Sequence, residues 1–190
     1  CQDGEAGERV AGGLGVLLDV WRSPPGPGMG AEVLDGQLQL DHAVAEPGER
    51  LLQLLLERAQ VGLAQLGEGR QDVELGRWRS AVDNAQLAVE NAAKAVLALT
   101  CPIGRTHNPA VQLREALDSG LFAASHHDRV LHLIEKAEML GHDVHVQTDY
   151  GDEVGGRTPW ELFGGTDARQ SISLAEEAVD LAEVVIRGVE

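Results

Sequence analysis

Aromatic side chains are scarce in this chain. They make up 3% of its 190 residues, as three Trp, two Phe and one Tyr. A core without rings must be filled by Leu, Val and Ala. Ala and Leu favour helix, whereas aromatics favour strands, so the composition leans towards helix. Cysteine is rarer still, at Cys1 and Cys101 alone. Two thiols cannot make a disulfide framework or a cysteine zinc site. They suit a reducing compartment, and a cytoplasmic location is expected. Lysine occurs only at Lys94 and Lys136. The 15 basic residues face 31 acidic ones, for a formal charge of −16. A surface that grips phosphates must be basic, so DNA and RNA are not the expected partners. The acidic excess reads first as a solvated surface. No apolar run is long enough to cross a membrane. Val10–Val20 is short, contains Asp19 and lacks a small-residue cleavage site, so no membrane association is expected.

What is present divides at residue 48. Residues 1–48 hold ten of the 23 glycines and four of the seven prolines, including Ser23-Pro24-Pro25-Gly26-Pro27-Gly28. Glycine raises the entropy cost of ordering and proline breaks helices, so this part reads as an arm, with one short element at most near Leu14–Trp21. Met29, just after the run, could serve as the natural start of the chain. Residues 49–190 read as an all-α domain of about five helices in an antiparallel bundle.

Pro47-Gly48-Glu49 starts the first of these helices, which carries Leu51 to Leu66 and is expected to end at Gly67 and Gly69. Trp78 to Leu99 is the second, with Ala81, Ala85, Ala88, Ala92 and Ala95 recurring every three or four residues. Such small residues let a neighbouring helix approach closely. Asn108-Pro109 begins a third helix that stops at Gly120. Ser125–Leu140 is a fourth. Residues 141–165 read as a long polar loop, of the kind that often carries function. Thr166 or Asp167 is the expected cap of the last helix, which runs to Val189 with Ile172, Ala175, Val179, Ala182 and Ile186 on its apolar face.

The segment from Ser80 to Val96, SAVDNAQLAVENAAKAV, resembles the second helix of HEPN domains. Thr106-His107 stands where that family has a Thr-His pair. Thr148-Asp149-Tyr150-Gly151-Asp152 occupies the place of its Thr-Arg-Tyr-Pro-Asp, and Asp167-Ala168 matches the start of its closing helix. The resemblance covers about 140 residues and implies a helical bundle that usually dimerises. It also implies a minimal nucleotidyltransferase as partner, in a toxin–antitoxin type of system, or a bound nucleotide. Two departures stand out. HEPN ribonucleases carry an Arg, four to six residues, then a His. Here Arg105 and His107 are two apart, and Arg129 and His132 three apart. The Thr-Arg-Tyr-Pro-Asp stretch has lost its Arg to Asp149 and its Pro to Gly151.

The candidate binding residues are therefore Glu90, Lys94, Arg105, His107 and Tyr150. Glu90 and Lys94, four apart, share a helix face, as a packing pair or as a polar contact in a cleft or dimer seam. His107 precedes the Asn108 cap, where it orients the loop or meets a phosphate at the helix start. Tyr150 either lines a site at the bundle mouth or packs its ring on the helices. His126, His127, His132, His142 and His145 do not fall at ligand spacing, so no metal is assigned. No cofactor is implied, since there is no phosphate-binding loop or nucleophile elbow, and no catalytic residue is named. The expected function is a homodimeric HEPN-like binding module. The alternatives are a ribonuclease toxin with a non-standard site at Arg105 and His107, and a purely structural dimerisation domain.

Overall fold

The computed structural model describes residues 47–100 and 108–188, and the Gly/Pro-rich arm lies outside them. Among the described residues there are six helices of more than one turn: α1 (Pro47–Glu74), α2 (Trp78–Leu97), α3 (Pro109–Asp118), α4 (His127–Met139), α5 (His142–Tyr150) and α6 (Gly165–Arg187). A 3₁₀ turn, Ala124–His126, leads into α4, and Pro159–Leu162 forms a single helical turn. No strand occurs among the described residues, which hold one isolated antiparallel bridge between Asp152 and Arg157. The described residues are thus all-α, as the composition indicates.

The alanine stripe of α2 sets the architecture. Ala81, Ala85, Ala88, Ala92 and Ala95 are all buried. They meet a matching row on α1, where Leu55, Ala59, Gly62, Leu66 and Gly69 alternate at spacings of four and three. A Cβ built on Gly62 would stand 3.3 Å from the Ala88 carbonyl oxygen. The two backbones can therefore come close only because the side chains between them are small. The connection Leu75–Arg77 is short, with Gly76 in the left-handed region at φ 68°. α1 and α2 are in consequence antiparallel.

The expected end of α1 at Gly67 and Gly69 is not observed, because the helix runs through both to Glu74. Gly69 is there for contact. Its Cβ would fall 2.7 Å from Ile172 Cδ1 and 3.3 Å from Asn84 Cβ, so α1, α2 and α6 meet at that point. α6 supplies the third wall of the core through Ala168, Ile172, Ala175, Ala178, Val179, Ala182, Val185 and Ile186. Its start lies beside the start of α2, with Gly165 against Trp78, so those two helices run the same way. α4 opposes α6: the His126 ring at its beginning is 3.1 Å from the Gly188 carbonyl beyond the end of α6. Val130, Leu133, Ile134 and Ala137 of α4 close the core with Leu113 and Ala116 of α3. Asn108 and Pro109 occupy the cap and first positions of α3, as the sequence indicates.

The long loop expected over 141–165 is largely structured. α5 fills its first part, and the single turn Pro159–Leu162 its last. Only Thr148 of α5 is buried, so the helix lacks the periodic apolar face by which helices are recognised in a sequence. The cap of α6 also differs from expectation. Gly164 holds that position, and Asp167, in the first turn, accepts the Gly164 N–H at 2.8 Å.

Candidate functional site

α2 carries a polar stripe as well as an apolar one. Arg79, Asp83, Gln86, Glu90 and Lys94 follow one another at spacings of four, three, four and four, which places them along one side of the helix. Burying such a stripe is costly unless its polar groups are partnered, and among the buried ones here Gln86 Oε1 alone has no hydrogen-bond partner. Lys94 Nζ donates to Glu90 Oε1 at 2.5 Å, and Gln86 Nε2 donates to Glu90 Oε2 at 3.1 Å. Lys94 and Glu90 are each 7% exposed and Gln86 1%. The sequence-derived pair Glu90 and Lys94 is therefore a buried ion pair in a polar core, and its ammonium is held by a carboxylate of its own helix.

The outer end of the stripe fastens α5. Thr148 is fully buried, and its hydroxyl lies 2.9 Å from the His145 carbonyl and 3.2 Å from Asp83 Oδ1. Arg79 Nε donates to the Thr148 carbonyl at 2.6 Å, and its Nη2 reaches Asp149 Oδ1 at 3.1 Å and Asp83 Oδ2 at 3.8 Å. The Thr148 carbonyl belongs to the last turn of α5, where carbonyls lack helical partners and the helix end is negative. Arg79 answers both needs. Sequence reasoning singled out neither Arg79 nor Asp83, although their spacing to Glu90 and Lys94 was the available signal.

Beyond α5 the chain makes a tight, ordered turn. Asp152 N–H donates to the Arg157 carbonyl at 2.9 Å and Arg157 N–H returns to the Asp152 carbonyl at 3.0 Å. Asp152 Oδ1 accepts the Gly155 N–H at 2.8 Å, and its Oδ2 takes Arg157 Nη2 at 3.1 Å. The Gly155 amide, followed by the Arg157 guanidinium, holds the Asp152 carboxyl below its ordinary value. Glu161 closes the next turn by accepting the Thr158 N–H and hydroxyl, each at 2.8 Å, and those two bonds lower its pKa in the same way. Gly151, at φ 82°, makes the corner. A Cβ there would fall 2.4 Å from the Arg157 carbonyl oxygen.

This turn and α5 enclose an open groove of about 620 Å³, lined by His142, Asp143, Val146, Tyr150, Glu153 and Val154 among others. Tyr150 is 69% exposed and Val154, at the tip, is fully exposed. Tyr150 thus stands in an outward groove and does not pack its ring on the helices, and the Glu90–Lys94 pair does not line that groove. A second groove, of about 420 Å³, lies where α1 meets α2 and contains Arg77 and Arg79. Both arginines are engaged there by carboxylates, Arg77 by Asp72 at 2.6 Å and Arg79 as described.

Arg105 and His107 lie outside the described residues. Of the histidines, His126 and His127 bond the carbonyls of Gly188 and Phe122, and the rings of His142 and His145 stand 6.4 Å apart. No group of three or more His, Cys, Asp or Glu that could hold a metal ion occurs among the described residues. No helix among them is long and apolar enough to cross a membrane.

Compared with known proteins, the chain matches no curated protein and no solved structure. The family model of the HEPN domain matches residues 52–190, well over half of the chain and every helix described above apart from the first turn of α1. The order of the helices, the alanine-rich α2 with its Glu90–Lys94 pair, and this match lead to one conclusion: the chain belongs to the HEPN domain family.

Proposed function

We propose that this chain is a HEPN-type binding module of the cytoplasm that acts as a homodimer and works by docking a protein partner, for which the family resemblance suggests a minimal nucleotidyltransferase. One observation carries the reading. Arg79, Lys94 and Arg157 are each committed to a carboxylate of the same chain, whereas the groove beside the α5 turn is acidic and apolar. A nucleotide's phosphates need uncommitted donors or a positive field, and a protein partner does not. The formal charge of −16 favours the same choice. A ribonuclease built on Arg105 and His107 lacks the Arg–His spacing of its relatives.

The test mixes the purified chain with a minimal nucleotidyltransferase of the kind that accompanies HEPN proteins and reads the mass by light scattering. The expected result is a dimer of this chain that gains mass with the transferase and does not cleave RNA. Cleavage of RNA that His107→Ala abolishes would replace this reading with the ribonuclease one. A stable melting temperature with ATP supports protein docking, while a clear rise would move the reading to nucleotide binding.

A further inference from the structure

We infer that the groove between α5 and the Asp152–Arg157 turn is a docking surface for a basic, amphipathic segment of a partner protein. The inference rests on the docking reading above and deepens it by naming the surface and the chemistry of its occupant.

The groove is lined by apolar and acidic side chains together. Val146 and Tyr150 are four apart on α5 and so lie on one side of it. Val154 extends this surface from the tip of the turn. A valine with its whole side chain in water and a tyrosine 69% exposed forgo burial that most side chains of their type obtain. Trp160, on the adjoining helical turn, is 74% exposed as well. Val146, Tyr150 and Val154 line one groove and give a partner apolar surface to bury.

The segment that displays these side chains is held in one shape. The bridge between Asp152 and Arg157, the Asp152 bonds to Gly155 and Arg157, the left-handed Gly151 and Gly156, and the Thr158–Glu161 cap all fix it. An exposed loop tip costs less to immobilise on binding when it is already ordered. The fixed geometry therefore serves presentation of Val154.

The charge of the groove selects the occupant. Asp143, Asp152 and Glu153 line the groove. Asp152 already faces Arg157, which leaves the carboxylates of Asp143 and Glu153 for a visitor to meet. A second copy would bring the same acidic lining to its own image. A basic segment with apolar side chains on one face satisfies the apolar and the acidic lining together, in the manner of a helix or strand laid in a groove.

The probe is a short amphipathic peptide of Arg and Leu, titrated into the full chain and followed by amide NMR shifts and fluorescence anisotropy. Two control peptides keep one property each: Arg with Ser, and Glu with Leu. The expected result is saturable binding of the Arg–Leu peptide alone, with shifts centred on Val146, Tyr150 and Val154. Val154→Ser and Tyr150→Ala should each weaken it by about tenfold, as loss of a buried apolar side chain implies. Asp143→Asn with Glu153→Gln should weaken it and flatten its salt dependence, while Val184→Ser, an exposed change on α6, should leave it intact.

Equal binding of the Arg–Ser peptide, or shifts scattered over the surface, would reduce the effect to general charge attraction and overturn the inference. So would no binding at all. A wild-type dimer that falls to a monomer on Val154→Ser and Tyr150→Ala would assign the groove to self-association instead. The two readings fail separately. If the transferase binds equally well to Val154→Ser and Tyr150→Ala, the docking function stands and the groove does not. If the peptide seats in the groove but no transferase binds, the groove stands and the transferase does not.

Discussion

Replacing Lys94 by Met keeps the length of the side chain and removes its charge. The ammonium lies 2.5 Å from Glu90 Oε1, and both residues are 7% exposed. Taking one member from a buried pair leaves the other as a poorly solvated charge, at a cost of ~3–5 kcal/mol. Glu90 keeps the Gln86 amide at 3.1 Å, which places the expected loss near the lower end, about 3 kcal/mol. For a chain of this size such a loss lowers the melting temperature by roughly 6–12 °C. Lys94→Met combined with Glu90→Gln removes both charges and preserves a group for the Gln86 amide to meet. The pair's desolvation cost disappears with it, so the double variant should return to within about 1 kcal/mol of the parent. Urea unfolding followed by the helical circular dichroism signal measures all of these variants. A cost below about 1 kcal/mol for Lys94→Met alone would mean that the pair is solvated. Additivity of the two single changes would mean that the residues are not coupled. Either result refutes the buried polar stripe.

Three further predictions follow from the glycines and the turn. Gly67→Ala, with nothing within 4 Å of its added Cβ, should stabilise the chain by about 1 kcal/mol through helix propensity, whereas Gly69→Ala, facing Ile172 at 2.7 Å, should lose that gain; thermal unfolding of both separates the cases. Gly151→Ala should destabilise by about 2 kcal/mol in the same assay, because its φ of 82° and the Arg157 carbonyl at 2.4 Å both oppose a Cβ. Asp152 and Glu161 have pKa values below their ordinary 3.8 and 4.5, so the order they lend to the turn is present above those values and is lost as the pH falls through the lowered ones. The amide signals of Gly155 and Thr158 should accordingly hold above about pH 5 and titrate with midpoints under 3.8 and 4.5, and midpoints at or above them would contradict the hydrogen bonds assigned.

The parts of the fold that were legible in the sequence are those with a period. The alanines of α2, the leucines of α1 and the Ile172–Ile186 series of α6 repeat because each helix buries one face against the others. Asn108-Pro109 was legible because a cap and a first-turn proline have a local cause. Gly67 and Gly69 misled, because glycine ends helices by local preference and also permits close helix contact, and only the position of Ile172 decides between the two. α5 was hidden because it buries Thr148 and little else, being held by Arg79 and Asp83 from seventy residues or so away in the chain. The candidate site divides in the same way. Glu90 and Lys94 share a face as their spacing implies, but their burial depends on packing that spacing does not encode. The exposure of Tyr150 depends on a turn whose shape comes from Gly151 and the Asp152–Arg157 bridge.

Hydrogen–deuterium exchange of the full chain, alone and with a minimal nucleotidyltransferase as the proposed partner, tests the docking account most directly. The account predicts that the transferase slows exchange over His142–Arg157, the α5 helix and the turn that frames the groove, while the buried amides of α2 exchange as before. Unchanged exchange throughout, with no gain in mass, would contradict it.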